Sequence, residues 1–324
     1  MILKNTNFEK MDKLSLAREP FFFFVDFEGE NVEIFDENEL EEKGILVEFQ
    51  DFKTHHKEEI LDKEISWEFF PESVDVYQQG FEIVQKNIHL GNSYLVNYTS
   101  KTLINTNRSL EEIFYLSKAK YKVFYPNKFV FFSPETFIKI NNQKIFTYPM
   151  KGTIDAEIPN AENILRESKK EKAEHYTVVD LLRNDLSMVA DNVQVAQFQK
   201  IDYLKTKQKN LLAMSSEITG EVKQEFQNRI GSIMKKILPA GSILGAPKLK
   251  TLEIILEAER YKRGYYTGVC GYFDGENLDT CVMIRMIEKK GEKYYFRSGG
   301  GVTHQSNLDD EYEELKNKIY VPIY

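Results

Sequence analysis

The chain has 324 residues, 42% hydrophobic and 13% aromatic, with a formal net charge of −8. That composition supports a sizeable core, while the acidic balance offers no basic face for phosphates and so excludes nucleic acid as an expected partner. No run of eighteen apolar residues occurs, the N-terminus MILKNTNFEK lacks the apolar core of a secretory leader, and two cysteines cannot build a disulfide framework. A reduced, cytoplasmic enzyme or binding protein with no membrane partner is therefore expected.

In chain order, FFFFV (21–25) predicts a buried strand, and GENVEIF and KGILVEF further strands of an N-terminal meander within residues 1–70. PESVDVYQQGFEIVQKNIHLGN carries Val74, Tyr77, Phe81, Val84 and Ile88 at helical spacing, with Gly91 as a stop. SYLVNYTSKTLI reads as a strand and SLEEIFYLSKAKY as a short helix. KFVFFSPETFIKINNQKIFTYPMKGT reads as two strands joined at NNQ and ending at Lys151. The middle reads as helical, AENILRESKKEKAEHYTVVDLLRNDLSMVA (161–190) carrying apolar Tyr176, Val179, Leu182 and Leu186. From residue 265 strands return: YYTGVCGYF, LDTCVMIRMIE and KYYFRSGGGV, separated by DGEN and KKGE, predict an antiparallel meander before a terminal helix, LDDEYEELKNKIY. Strands early and late with helices between argue for an α+β fold on antiparallel sheets. No repeat or linker interrupts it, so 1–324 is read as one domain, with a short N-terminal part (1–70) and a core (75–324).

Four constellations carry chemistry. In YPMKGT, Lys151 sits between a stiffening proline and a permissive glycine. It is either a solvated hairpin lysine or a held nucleophile or anion clamp. Glu135 in SPETF starts the strand whose partner ends at Lys151, so the hairpin should make them neighbours. Side by side they form either a cross-strand ion pair or an amine and an acid that share proton transfer. Glu171 and Glu174, and again Glu311 and Glu314, are three apart on predicted helices, so each pair shares a face. Acidic faces are mostly just solvated; if the two met, a hard cation such as magnesium would relieve the repulsion. PAGSILGAPKLKTLEIILEAE, with Ser242, Gly245 and Pro247 before an apolar-periodic helix, is either a tight helix entry or an anion site made of loop amides. It is no Walker loop. Arg285 lies in an apolar strand, sharing a face with Cys281, Met283 and Ile287 if the strand is regular; it needs a route to water or an anionic partner, either an internal or a ligand carboxylate. The glycines of RSGGGVT suit close approach of a ligand. The five histidines (55, 56, 89, 175, 304) show no metal spacing, and no nucleophile elbow is present.

Taken together, YPMKGT, AEHYTVVDLLRNDLSMV, PAGSILGAPKLKTLEIILEAE, GVCGYFDGENLDTCVMIR and SGGGV…DDEYEELKNK resemble the chorismate-utilising enzymes. These include anthranilate, aminodeoxychorismate, isochorismate and salicylate synthases. The resemblance runs from about residue 75 to the C-terminus. It implies one unit of two large antiparallel sheets packed as a sandwich with helices outside. Lys151 resembles the lysine of the aminodeoxychorismate synthase component I branch, where anthranilate synthases usually have alanine. Leu95 stands where isochorismate and salicylate synthases carry a water-activating lysine.

By this resemblance the substrates are chorismate and ammonia, the latter supplied by a separate glutamine amidotransferase subunit. Magnesium would be held mainly by Glu174 and Glu314, with Glu171 and Glu311 close by. Arg285, Tyr266, Gly300 and Gly301 would receive the enolpyruvyl carboxylate, Ser242 and Gly245 would flank the ring, and Thr153 would add a contact. Lys151 would attack C2 while Glu135 protonates the departing 4-hydroxyl. Three departures accompany the likeness: Ala213 in place of a common histidine, Leu244 in place of a serine or threonine, and no arginine after KGTI. Anthranilate synthesis, or a metal-stabilised scaffold for an amidotransferase without catalysis, are the alternatives.

Overall fold

The computed structural model describes residues 5–55, 65–204 and 210–322; His56 lies outside them. Helix α1 (Asn7–Leu16) leads into β1 (Phe21–Val25) and β2 (Val32–Phe35). Helix α2 (Glu37–Glu42), started by a reciprocal capping box between Asp36 and Glu39, precedes β3 (Leu46–Glu48) and β4 (Trp67–Phe70). The N-terminal part is thus not a simple meander. Two short helices interrupt it, and α1 hides its character because only Phe8, Met11 and Ser15 face inward.

Helix α3 (Val74–His89) buries Tyr77, Phe81, Val84 and Ile88, while Val74 stays exposed at its first turn. Then come β5 (Leu95–Thr106), α4 (Leu110–Leu116), β6 (Tyr121–Tyr125), β7 (Phe129–Ser133), β8 (Thr136–Asn141), β9 (Lys144–Thr147) and β10 (Met150–Asp155). The turn at NNQ has Asn142 and Gln143 at φ 49° and 61°, the left-handed pair a two-residue hairpin requires.

Helices α5 (Ala161–Glu167) and α6 (Lys169–Ser187) follow, with Val178, Val179, Leu182 and Leu186 buried and Tyr176 exposed. The middle is not wholly helical: β11 (Ala190–Leu204) and β12 (Leu211–Val222) form a long hairpin. β11 is an edge strand whose side chains are mostly exposed, so it lacks the alternation that marks a half-buried strand. The chain ends with α7 (Ile230–Ile237), α8 (Gly241–Leu244), β13 (Gly245–Ala246), α9 (Lys248–Glu259), β14 (Val269–Phe273), β15 (Leu278–Val282), β16 (Met286–Lys290), β17 (Lys293–Val302) and α10 (Leu308–Asn317). No helix among the described residues is long and apolar enough to cross a membrane.

The strands form two antiparallel sheets. One runs β10-β12-β9-β8-β15-β14-β1-β2 with β11 beside β12; the other runs β13-β5-β17-β16-β7-β6-β3 with β4 beside β5. Residues before 71 therefore belong to both sheets. β1 is apolar throughout because both of its faces are covered: Phe22 and Phe24 reach Phe49 and Phe129 at 5.6 and 5.8 Å between ring centres, while Phe21, Phe23 and Val25 join the core that includes α1 and α7. Cys270 and Cys281 oppose each other across β14 and β15 as free, buried thiols. The α+β sandwich with helices outside is the observed fold.

Two strands change sheet side by side. β7 belongs to one sheet and β8 to the other, with Pro134 and Glu135 between; β15 and β16 do the same across residues 283–285. LDTCVMIRMIE is therefore not one strand, and the meander after residue 265 is divided between sheets. Arg285 sits at the break with φ 52°, so Cys281 and Arg285 do not share a strand face. Backbone bonds lock this seam: Val282 N–H donates to the Glu135 carbonyl at 3.1 Å, Phe132 N–H to the Arg285 carbonyl at 3.3 Å, and Thr267 N–H to the Met283 carbonyl at 2.7 Å. Strands that switch sheet make corners, and a corner opens space between the layers.

Candidate active site

A cavity of about 820 Å³ opens at this seam and is lined by Glu135 in the step before β8 and by residues from β5, β10, α6, α8, β17 and α10, among others. Lys151 enters it because the backbone misbehaves just there. β9 ends at Thr147, the Pro149 carbonyl accepts from Ser216 N–H at 2.9 Å, and β10 pairs with β12 through a register shift between Met150 and Thr153. A bulge of this kind re-aims a side chain. Gly152 adopts φ 80°, and a Cβ there would lie 2.8 Å from Glu171 Oε2. The glycine thus brings a carboxylate of α6 against the strand beside the lysine. The Lys151 side chain has no hydrogen bond or ion pair with the described residues, and its charge acts on Glu135.

Glu135 Oε1 accepts from Ser242 Oγ at 3.1 Å. Burial pushes its carboxyl above the ordinary range, with Ser242 and the Lys151 charge opposing. The two expected neighbours do share the cavity. They are not paired in the β8–β9 ladder, which stops at Lys139 opposite Phe146; β9 and then β10 run on along β12, with the irregularity between Met150 and Thr153.

Ser242, Thr153, Tyr266, Arg285, Gly300 and Gly301 also line the cavity. Gly245 is not among the lining residues. It pairs with Val96, and a Cβ there would come 1.8 Å from the Leu95 carbonyl oxygen, so its tight approach is to β5. Burial raises the Tyr266 hydroxyl to about 12. The Arg285 guanidinium stacks 4.4 Å from the Tyr320 ring centre, and its buried Nη1 has no hydrogen-bond partner among the described residues. An open guanidinium N–H is a ready donor to a carboxylate.

The four glutamates line the same cavity. Glu171 and Glu174 project from the first turns of α6, where Ser168 caps the helix; Glu311 and Glu314 come from α10, capped by Asn307. The α10 pair converges on Gly300, whose absent Cβ would lie 3.0 Å from Glu311 Oε2 and 3.1 Å from Glu314 Oε1. Ser306 Oγ donates to Glu311 at 2.6 Å, and Lys318 Nζ to Glu314 at 2.6 Å. Among the described residues no three acidic, imidazole or thiol groups converge as a ready-made metal cage. The donor set nevertheless fits magnesium, which takes hard oxygens, is commonly bound through one or two carboxylates, and keeps waters for the rest.

The sequence reading did not single out Asn97, Thr267, Arg297 or Lys318, which also line the cavity. Lys318 was readable from its i+4 spacing to Glu314. Thr267, at φ 62°, gives no local signal. Of the histidines, His175 is buried with Nε2 2.7 Å from Ser216 Oγ, and burial holds it below its usual value. Ala213 is buried opposite Thr153, and Leu244 is buried in the core.

The architecture of two antiparallel sheets is shared with solved structures. The menaquinone-specific isochorismate synthase MenF from Escherichia coli aligns at a TM-score of 0.69 over 94% of this chain and 89% of that one, at 14% identity, which is a likeness of fold. Anthranilate synthase component I from Streptococcus pneumoniae TIGR4 aligns at 0.68 over 78% and 58%, at 25% identity. An uncharacterized PabA-like protein of Haemophilus influenzae is 49% identical over 317 residues, 97% of this chain and 96% of its own. Residues 8–323 match the chorismate binding enzyme family, and the chain belongs to it.

Proposed function

We propose that this chain is the aminating component I of aminodeoxychorismate synthase, a cytoplasmic enzyme that makes 4-amino-4-deoxychorismate for 4-aminobenzoate and folate synthesis. The observation that carries the reading is the shared cavity of the Lys151 amine and Glu135, a carboxyl biased by burial toward its protonated form and opposed by the Lys151 charge. Glu174 and Glu314, with Glu171 and Glu311, would hold magnesium, whose charge would neutralise the ring carboxylate of chorismate. Arg285 and Tyr266, with the backbone at Gly300 and Gly301, would receive the enolpyruvyl carboxylate. The Lys151 amine bonds to C2 as both ring double bonds shift and the 4-hydroxyl leaves as water with a proton from Glu135, which then takes a proton from the attached nitrogen. Ammonia bonds to C4, both double bonds shift back, and the lysine leaves C2 as the amine, carrying the proton that the incoming nitrogen gives up. Covalent attachment divides one difficult displacement into two easier ones. The ammonia would come from a separate glutamine amidotransferase subunit or from solution.

The likeness to the S. pneumoniae anthranilate synthase favours a second reading, ortho-amination with loss of pyruvate. Purified protein with chorismate, ammonium salt and magnesium separates them once products are resolved by chromatography. A 4-amino adduct supports the first reading and fluorescent anthranilate the second. Unchanged chorismate sinks both and leaves a scaffold. Lys151→Ala should abolish 4-amination; full activity in that variant removes the nucleophile.

A further inference from the structure

Behind Ser242 stands an ion pair, its carboxylate buried and its lysine partly buried, that the proposed chemistry does not use. The side chain of Asp185, near the end of α6, is 7% exposed, and its Oδ1 accepts from Lys248 Nζ at 2.6 Å. Its Oδ2 accepts from the Gly241 amide at 3.1 Å, and Lys248 gives a second N–H to the Ile237 carbonyl at 2.8 Å. One carboxylate thus gathers the last residue of α7, the first amide of α8 and the first residue of α9. The fit has no slack, since a Cβ at Gly241 would lie 2.6 Å from Asp185 Oδ2. One residue further on, Ser242 Oγ makes its bond to Glu135.

A buried ion pair is an inefficient source of stability, because desolvation offsets most of the attraction. Burial indeed pushes Asp185 up and Lys248 down, each opposed by the other's charge. What such a pair supplies is geometry. The geometry points to Asp185 as a positioning residue that, through the Gly241 amide, sets where Ser242 stands and so how Glu135 is held for proton transfer. The inference rests on Glu135 as the proton donor, and its test therefore reads Glu135 directly as well as turnover.

The Glu135 carboxyl band is assigned in infrared difference spectra by its loss in Glu135→Gln, then titrated. Ser242 and Lys151 are the groups that lower its midpoint, so a displaced Ser242 raises it. Asp185→Asn and Ser242→Ala should each raise the midpoint, and the double variant should match Ser242→Ala alone, because one acts through the other. An unmoved midpoint in Asp185→Asn, or additive shifts in the double variant, overturns the inference. Asp185→Asn strands the Lys248 charge, so Asp185→Asn/Lys248→Met, which removes it, provides a second folded background. The raised midpoint should persist there, and return to the parent value refutes the role. In turnover, kcat should fall on the order of 10–100-fold with KM for chorismate unchanged. Parent protein inert toward chorismate, with the infrared shifts as described, overturns the functional reading and leaves the positioning role standing.

Discussion

Replacing Gly152 by alanine tests the link between the bulge and the acidic pocket. The residue sits at φ 80°, and holding an alanine in left-handed backbone costs about 1–2 kcal/mol. The added methyl would lie 2.8 Å from Glu171 Oε2 and 3.2 Å from both Glu171 Cβ and Leu165 Cδ1. The carboxylate can swing away. The two carbon contacts must give, which adds about 1–2 kcal/mol, at the low end of overpacking costs. The sum is about 2–4 kcal/mol. With about 2 cal/mol/K of unfolding entropy per residue, a chain of this length loses about 1.5 °C per kcal/mol, so Tm should fall by about 3–6 °C. Gly152→Asn separates the two terms, since asparagine tolerates left-handed backbone but carries the same Cβ. It should lose less Tm than alanine while displacing Glu171 equally. Thermal unfolding and magnesium titration of chorismate turnover read the two effects. A Tm within 1 °C of the parent for the alanine variant, together with unchanged magnesium titrations for both, refutes the reasoning.

Glu135→Gln should stabilise the protein at neutral pH. The folded pKa is raised above the unfolded one, so the parent is at full stability only below about pH 4.5 and loses stability as pH rises through the folded value. The variant has no such loss, and its advantage in denaturant midpoint should vanish near pH 4; an advantage that persists there contradicts the assignment. Arg285→Lys keeps the charge but loses the planar fork and much of the stack on Tyr320, and KM for chorismate should rise about tenfold, checked by steady-state kinetics. An unchanged KM removes Arg285 from the substrate contacts. Glu314→Gln should weaken magnesium-dependent turnover several-fold; a parent-like metal titration strikes it from the ligands.

Where the pattern was regular, the sequence was readable. The stripe on α3 shows its buried face because 3.6 residues per turn repeat a spacing. The NNQ hairpin is visible because its turn demands left-handed residues. The Glu-x-x-Glu steps put two carboxylates on each of two helix faces, yet nothing in either step says that both face one cavity. Arg285 was misassigned for the opposite reason. Its segment is apolar and β-branched enough to read as one strand of eleven residues, and the transfer between sheets is a tertiary event without a local mark. Gly245 shows the same limit: a glycine needed for a backbone to pass close by looks, in sequence, like a glycine needed for a ligand.

The residues that carry the proposed chemistry sit where regular structure breaks. Lys151 occupies a bulge beside Gly152, Arg285 adopts φ 52°, and Glu135 lies in the two-residue step between sheets; Thr267, in the cavity wall, adopts φ 62°. Such backbone costs about 1–3 kcal/mol at each strained site and persists only when neighbours fix it. Here the neighbours lie in and beside the crossing strands: Glu135, Arg285 and Thr267 are joined to Val282, Phe132 and Met283 by backbone bonds of 2.7–3.3 Å. The seam therefore aims three side chains into a single space that no straight strand could serve. On the proposed reading it would also let an acidic protein hold an acidic ligand, because Lys151 and Arg285 at the breaks and the four glutamates on the regular helices α6 and α10 meet the cavity from separate elements.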